Sequence, residues 1–194
     1  MSTHPAPLRL AVIVGSARAE RLAPQVVSWF TEQIAQRADM SVDVIDLLQA
    51  RLPDSLDPQA PEVATLRPRL AGADGFVVVV PEYNHSFPGV VKTAIDCYTT
   101  EWHAKPVGFI SYGLSRTGGA RAVEHLRQVF AELHAVSVRN AVEFPAVLEH
   151  FGPDGRLPRE SGSEAAAKVM LDQLAWWAWA LRDAKSRRPY EAMR

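Results

Sequence analysis

An α/β domain built on a five-stranded parallel sheet, with helices on both faces, is what this sequence predicts. Three observations carry that expectation. The runs Leu8-Arg9-Leu10-Ala11-Val12-Ile13-Val14 and Gly75-Phe76-Val77-Val78-Val79-Val80 are almost wholly apolar, as strands buried on both faces are. Segments with apolar residues at helical spacing separate the strands, and parallel strands need connections of helix length. The alternation of strand and helix recurs along the chain, the pattern of an α/β fold rather than of a sandwich or a bundle.

Residues 8–14 end at Gly15 and read as a central strand. In residues 22–37, Leu22, Val26, Trp29, Phe30 and Ile34 form one apolar stripe, so this segment is a helix returning over the sheet. Residues 41–46 contain Val42, Val44 and Ile45 and read as a shorter strand, placed at an edge by its length. Pro53, Pro58 and Pro61 then interrupt regular structure before a helix near residues 62–71, whose start is blurred by Pro68. Pro81 stops the strand at 75–80, and a loop at 81–88 follows.

A helix at 89–98, a fourth strand at 106–111 and a helix at 119–133 come next, the last with Val123, Leu126, Phe130 and Leu133 on one face. Val136-Ser137-Val138 opens the fifth strand or its approach, with Phe144 as the far limit. Residues 145–162 mix Gly, Pro and charge and read as an irregular surface loop, after which 164–185 form the last helix. Its core face is expected to carry Met170, Leu174, Trp177 and Leu181. Trp176 and Trp179 project elsewhere and need cover from a partner subunit or the 145–162 loop.

At 194 residues the chain fits one domain, 1–194, with residues 1–7 as a flexible N-terminus. Apolar residues at 47% and charged residues at 22% exclude a disordered or collagen-like chain. A formal net charge of −1 offers no basic excess for nucleic acid or an anionic membrane, so neither is expected as a partner. The single cysteine, Cys97, precludes an internal disulfide and thiol-rich metal sites, and His125, His134 and His150 lack metal-binding spacing, so no metal is expected. With no signal segment or membrane span, the expected location is cytoplasmic.

In such a sheet, ligands sit beyond the carboxyl ends of the strands where strand order reverses, which singles out three loops. The first, Gly15 through Leu22, offers the Ser16 hydroxyl, Arg18 and the unpaired amides of a helix start, a cradle for a terminal phosphate monoester or else a solvated turn. It lacks both the glycine-rich dinucleotide fingerprint and the Walker Lys-Ser/Thr pair. The second, Pro81-Glu82-Tyr83-Asn84-His85-Ser86-Phe87-Pro88, is rigid between its prolines. Asn84 there supplies the donor and acceptor that a flavin's pyrimidine edge requires. The third, Ser111-Tyr112-Gly113-Leu114-Ser115-Arg116-Thr117-Gly118-Gly119, has small residues where a ring could approach the backbone, and Tyr112 could stack on that ring.

With these loops in this order, residues 10–144 resemble the NADPH-dependent FMN reductase family, which includes quinone, azo and chromate reductases. The most specific part is Pro81-Glu82-Tyr83-Asn84-His85-Ser86 followed by Pro88-Gly89 and Lys92, supported by Gly15-Ser16 with Arg18 and by Ser111-Tyr112-Gly113 with Gly118-Gly119. The resemblance implies a flavodoxin-like three-layer sandwich of strand order 2-1-3-4-5. It implies FMN as cofactor, NADPH as co-substrate, a small-molecule electron acceptor and a homodimer or homotetramer. Ser16, Arg18 and the amides around Arg21, Leu22 and Ala23 would hold the FMN phosphate. Pro81, Glu82, Tyr83 and Asn84 would border the isoalloxazine and ribityl chain, and Ser111, Tyr112, Gly113 and Gly118 would line the other side.

Tyr98, Trp102 and His103 would form an aromatic lid across a dimer, or else pack locally. Ala19-Glu20 replaces the Pro-Gly of many relatives, and Leu114-Ser115-Arg116-Thr117 is a longer, more basic stretch at the place where nicotinamide or substrate would enter. Arg116 and Arg121 are candidates for a nucleotide phosphate, or solvated charges.

The implied reaction is a ping-pong cycle from NADPH through FMN to an acceptor such as free flavin, a quinone, an azo compound or a metal oxyanion, with no side chain needed as catalyst. The alternatives are a flavin-binding electron carrier or regulatory module and a biosynthetic flavoenzyme on the same scaffold.

Overall fold

The computed structural model describes residues 6–151 and 162–190. Residues 1–5 of the expected flexible N-terminus and 152–161 of the expected surface loop lie outside the described residues. The elements in chain order are β1 (Leu8–Val14), α1 (Ala23–Ala35), β2 (Met40–Asp46), α2 (Leu47–Ala50), α3 (Pro61–Gly72) and β3 (Gly75–Pro81). They continue with α4 (Gly89–Asp96), β4 (Pro106–Tyr112), α5 (Ala120–Glu132), β5 (Val136–Ser137), β6 (Val142–Phe144) and α6 (Ser163–Arg187).

The strands run in the order β2-β1-β3-β4-β5, with β6 also paired to β4, and every pairing is parallel. This is the flavodoxin-like order that the family resemblance implies. Side chains alternate between the two faces of the pleat. Leu10, Val12, Val14, Val77, Val79 and Ile110 pack under α1 and α6, whereas Ala11, Ile13, Phe76, Val78, Val107 and Phe109 pack under α3, α4 and α5. Every residue of β3 and β4 is buried, which explains their unbroken apolar runs.

The fifth strand is split, a correction to the single run expected from residue 136 toward 144. β5 pairs Val136 and Ser137 with Pro106 and Val107, and β6 pairs Val142, Glu143 and Phe144 with Ile110, Ser111 and Tyr112. Five steps separate Ser137 from Val142 but only three separate their partners Val107 and Ile110 (142 − 137 against 110 − 107), so two residues bulge out. Side chains satisfy the bulge. The Arg127 guanidinium donates to the carbonyls of Val138 and Arg139 at 2.7 and 2.9 Å, and Gln173 both accepts from Asn140 N at 3.0 Å and donates to its Oδ1 at 2.6 Å.

α3 starts at Pro61 and continues through Pro68. Pro68 and Ala64 are exposed, so the carbonyl that the missing N–H leaves unpaired lies on the solvent side of the helix. α6 presents Ala167, Met170, Leu171, Leu174, Ala175 and Ala178 to the core. Trp177, expected on that face, is 37% exposed and meets Trp176 edge-on at 4.9 Å, while Trp179 is partly buried against the core. α6 approaches β4 so closely that a Cβ on Gly108 would stand 2.9 Å from Leu174 Cδ1 and 3.1 Å from Met170 Sδ.

Tyr98 and Trp102 pack locally rather than as a lid. Trp102 is 1% exposed and meets Phe76 at 4.8 Å and Phe130 at 5.6 Å. Among the described residues no helix is long and apolar enough to cross a membrane.

Lys105, buried just ahead of β4, closes the end of α3 by donating to the carbonyls of Leu70 and Ala71 at 2.8 and 2.9 Å. Burial pushes its ammonium down to about 8. An unfolded lysine titrates near ~10.4, so between these values the unfolded chain holds a proton that the folded chain has lost, and stability rises with pH across that window. Lys105→Met removes this dependence and takes the side-chain donor from Ala71 O, while Leu70 O keeps its bond from Ala73 N at 3.2 Å, at a cost of about 1–3 kcal/mol. Urea denaturation from about pH 8 upward should therefore show the stability gap between wild type and variant widening in favour of the wild type.

Candidate functional site

The loops after β1, β3 and β4 meet because the chain stays hydrogen-bonded beyond the regular strand ends. Gly15 N donates to Val79 O at 2.8 Å, Glu82 N to Tyr112 O at 3.0 Å, and Gly113 N to Phe144 O at 3.2 Å. Gly15 must lack a side chain there, since a Cβ would come within 2.6 Å of Val91 Cγ2 and 3.1 Å of Val79 O.

The first loop is held in shape by Arg21. Its guanidinium grips both carboxylate oxygens of Asp46 at the end of β2 and donates to Ser16 O at 2.5 Å. Asp46 is held below the usual carboxylate range, first by this hydrogen-bonded pair, and also caps α2 by accepting from Leu48 N at 3.0 Å. The Arg21 side chain therefore serves the loop itself. Ser16 is 1% exposed, and its hydroxyl lies 3.0 Å from Tyr83 Oη. The exposed Arg18 guanidinium sits 4.0 Å above the Tyr83 ring. Leu22 and Ala23 begin α1, where the first amides have no intrahelical acceptor.

The second loop folds back on itself. Tyr83 N donates to Ser86 O at 2.8 Å and Ser86 N to Tyr83 O at 3.1 Å, while Asn84 and His85 take φ of 49° and 73°. Two left-handed central residues define the tight hairpin turn that matches strand twist, and Asn tolerates this conformation better than most residues. The turn's own bonds leave the amides of Asn84 and His85 to other partners. Glu82, its side chain 8% exposed, accepts from Arg121 at 2.7 Å and from Thr117 at 3.3 Å. Arg121 is thus paired, whereas Arg116 is exposed on its loop.

In the third loop, Ser111 Oγ donates to Gly118 O at 2.8 Å. Gly118 and Gly119 have φ of 59° and 92°, and a Cβ on Gly119 would lie 2.6 Å from Ser111 Cβ. Ser111 and Gly118 therefore shape the loop from behind.

Between the loops opens a cleft of about 410 Å³. Of the residues singled out from the sequence, Ser16, Arg18, Arg21, Leu22, Pro81, Glu82, Tyr83, Asn84, Tyr112 and Gly113 line it. Ala23, Ser111 and Gly118 do not. Glu20 and Leu114, which lie in the loops expected at the site but were given no ligand contact, also line it, and sequence reasoning missed Val147 and Leu148 altogether. Val147 and Leu148 belong to a short 3-10 turn after β6 in a stretch without periodicity, so only the bond from Val147 N to Gly113 O, 3.0 Å, reveals their place. Among the described residues no cluster of three or more His, Cys, Asp or Glu could hold a metal.

One polar atom at this cleft lacks a partner. Tyr112 Oη is buried with no hydrogen bond of ordinary geometry among the described residues. Burial drives its phenol well above the usual tyrosine range, the Ser16 hydroxyl acting in the opposite sense. The hydroxyls of Ser16, Tyr83 and Tyr112, the Arg18 guanidinium and the main-chain amides of Arg21 and Leu22 make a donor set that suits a phosphate monoester.

The profile of a family described as NADPH-dependent FMN reductase matches residues 8–148. An NAD(P)H-dependent FMN reductase of Schizosaccharomyces pombe is 32% identical over 149 residues, covering 71% of this chain and 74% of its own. A 2-hydroxy-1,4-benzoquinone reductase of Burkholderia is 36% identical over 138 residues, 66% of this chain and 73% of its own. Among solved structures, the flavoenzyme NAD(P)H:(acceptor) oxidoreductase FerB of Paracoccus denitrificans superposes with a TM-score of 0.72 at 25% identity, over 89% of this chain and 98% of its own.

An unpaired buried hydroxyl destabilises the ligand-free protein. Tyr112→Phe should therefore raise its stability by about 1 kcal/mol in urea denaturation. A loss of stability instead would mean that the hydroxyl is already satisfied.

Proposed function

Since the chain belongs to the NADPH-dependent FMN reductase family, an oxidoreductase with FMN as cofactor and NADPH as co-substrate, we propose that it passes electrons from NADPH to a small-molecule acceptor in a ping-pong cycle at the three-loop cleft. The observation that carries this reading is the partnerless Tyr112 hydroxyl, buried in a cleft with the Ser16 and Tyr83 hydroxyls and Arg18. A phosphate monoester would satisfy the first and be neutralised by the last. When bound, FMN supplies hydride acceptance and electron release, and the protein supplies position and electrostatics.

In this reading Ser16, Arg18, Tyr83 and Tyr112 hold the phosphate together with the main-chain amides of Arg21 and Leu22, just ahead of α1. Arg21 acts at one remove: by gripping Asp46 and Ser16 O it fixes the loop that carries Ser16 and Arg18. Pro81, Glu82, Asn84 and Gly113 border the flavin ring and ribityl chain. The amides of Asn84 and His85, unused by their own turn, are the main-chain donors for that ring. Arg121 and Thr117 hold the Glu82 carboxylate against the wall, so that it keeps its charge compensated beside the ring. Ala23, Ser111 and Gly118 support these walls without touching the ligand.

The same reading has the protein working in the cytoplasm, where NADPH and a reduced Cys97 are both at home. It also has the protein working as a homodimer or homotetramer, consistent with the exposed Trp176 and Trp177 on α6.

Mixing the FMN-loaded protein with NADPH and following loss of nicotinamide absorbance tests the reaction. Turnover is expected with at least one of a naphthoquinone, an azo dye, chromate or free flavin; none with any of them would sink the reductase reading. Arg18→Ala and Tyr112→Phe should each weaken FMN binding, followed by quenching of its fluorescence, by about tenfold, the equivalent of one hydrogen bond to a charged group.

A further inference from the structure

Leu114 and Leu148 are the most exposed large apolar side chains among the described residues, at 74% and 65%, and both line the same cleft. Singly exposed leucines are ordinary, but two at one cleft mouth form a local apolar surface that a ligand would cover. They come from segments far apart in the chain, the loop after β4 and the 3-10 turn after β6. Main-chain bonds join those segments into one platform: Val147 N donates to Gly113 O at 3.0 Å and Ala146 N to Ser115 O at 3.1 Å. Ala146 itself takes a φ of 45°, a conformation that costs free energy in a residue with a Cβ and that turns the chain into the segment carrying Leu148. The segment at residues 16–21 contributes mainly polar and charged groups to the cleft, whereas the joined platform contributes Gly113, Leu114, Val147 and Leu148.

We propose that Leu114 and Leu148 form an apolar lip that selects uncharged aromatic acceptors, of the quinone class, over hydrophilic anions. The proposal rests on the reductase reading and deepens it by choosing among the acceptors that an exposed reduced ring could serve. Covering the two side chains removes apolar surface from water, a gain that a planar ring system can provide and a hydrated oxyanion cannot. In the overall reaction the quinone gains two electrons and two protons to become the hydroquinone. NADPH gives the electron pair with one proton as hydride and leaves as NADP⁺, and solvent gives the second proton.

The experiment compares kcat/KM for 1,4-naphthoquinone with that for ferricyanide, using the FMN-loaded protein and NADPH. In Leu114→Ser and Leu148→Ser the ratio should fall by about tenfold each, the loss of roughly one buried leucine contact. The change should lie in KM for the quinone, while FMN affinity moves by less than about threefold. Leu56→Ser, at an exposed leucine outside this cleft, serves as the control and should leave the ratio where the wild type has it. Equal losses with both acceptors, an unchanged ratio, or a loosened FMN that would make the leucines part of the flavin seat each overturn the lip. A wild type that takes up no FMN, or oxidises no NADPH with either acceptor, overturns the reductase reading itself.

Discussion

The molecule depends on hydrogen bonding that does not stop where the regular strands stop. The ladder from β1 through β3 to β4 continues one step further at each strand end, through Gly15 to Val79, Glu82 to Tyr112 and Gly113 to Phe144. Each step fixes the first residue of one loop against the neighbouring strand, so the loops leave the sheet side by side and in a fixed relation. A cleft whose walls come from chain positions as distant as residues 16 and 148 needs such a frame, because loops alone would pay too much conformational entropy to hold it. The glycines follow from the same constraint. Gly15 and Gly119 sit where the frame brings backbone and side chains within about 3 Å of the place a Cβ would take.

On this frame the polar groups divide into those that are already paired and those that are not. Arg21, Asp46, Glu82 and Arg121 satisfy one another and shape the walls. The Tyr112 hydroxyl is left over, and at its side stand the Ser16 and Tyr83 hydroxyls, 3.0 Å from each other. A site held by compensated charges and equipped with spare hydroxyl donors is prepared for an anion without being distorted by its own electrostatics. The left-handed Asn84 and His85 add a modest backbone strain at the same place, carried by the two main-chain bonds between Tyr83 and Ser86.

Much of this was legible in the amino-acid order. β3 and β4 announce themselves as apolar runs because both faces are buried, and Pro81-Glu82-Tyr83-Asn84 stands out because a polar segment between prolines follows the strongest strand. What escaped has physical causes. The two-residue bulge between β5 and β6 is stabilised by Arg127 of the preceding α5 and by Gln173 of α6, 33 residues on, and no period of strand or helix encodes that. Trp177 falls at a spacing that fits the core stripe of α6, yet the buried stripe runs through Leu171, Leu174, Ala175 and Ala178, a face that spacing from Met170 alone does not single out. Val147 and Leu148 join the cleft through a tertiary hydrogen bond to Gly113, in a stretch with neither helical nor strand periodicity.

The two borders of the sheet are closed to further strands by opposite means. On the β6 side the interruption after Ser137 breaks the row of backbone donors and acceptors, and arginine and glutamine side chains occupy the groups it frees. On the β2 side the strand is regular over Met40–Asp46 and exposes Val42 and Val44, the features that invite polymerisation into fibrils. There Arg69 reaches across from α3, ion-pairs with Asp43 at 2.5 Å and covers the carbonyl of Val44 at 2.9 Å. That charged clasp occupies an acceptor on the border and sets ionised groups beside the exposed valines, the means by which an edge is blunted against pairing with another chain.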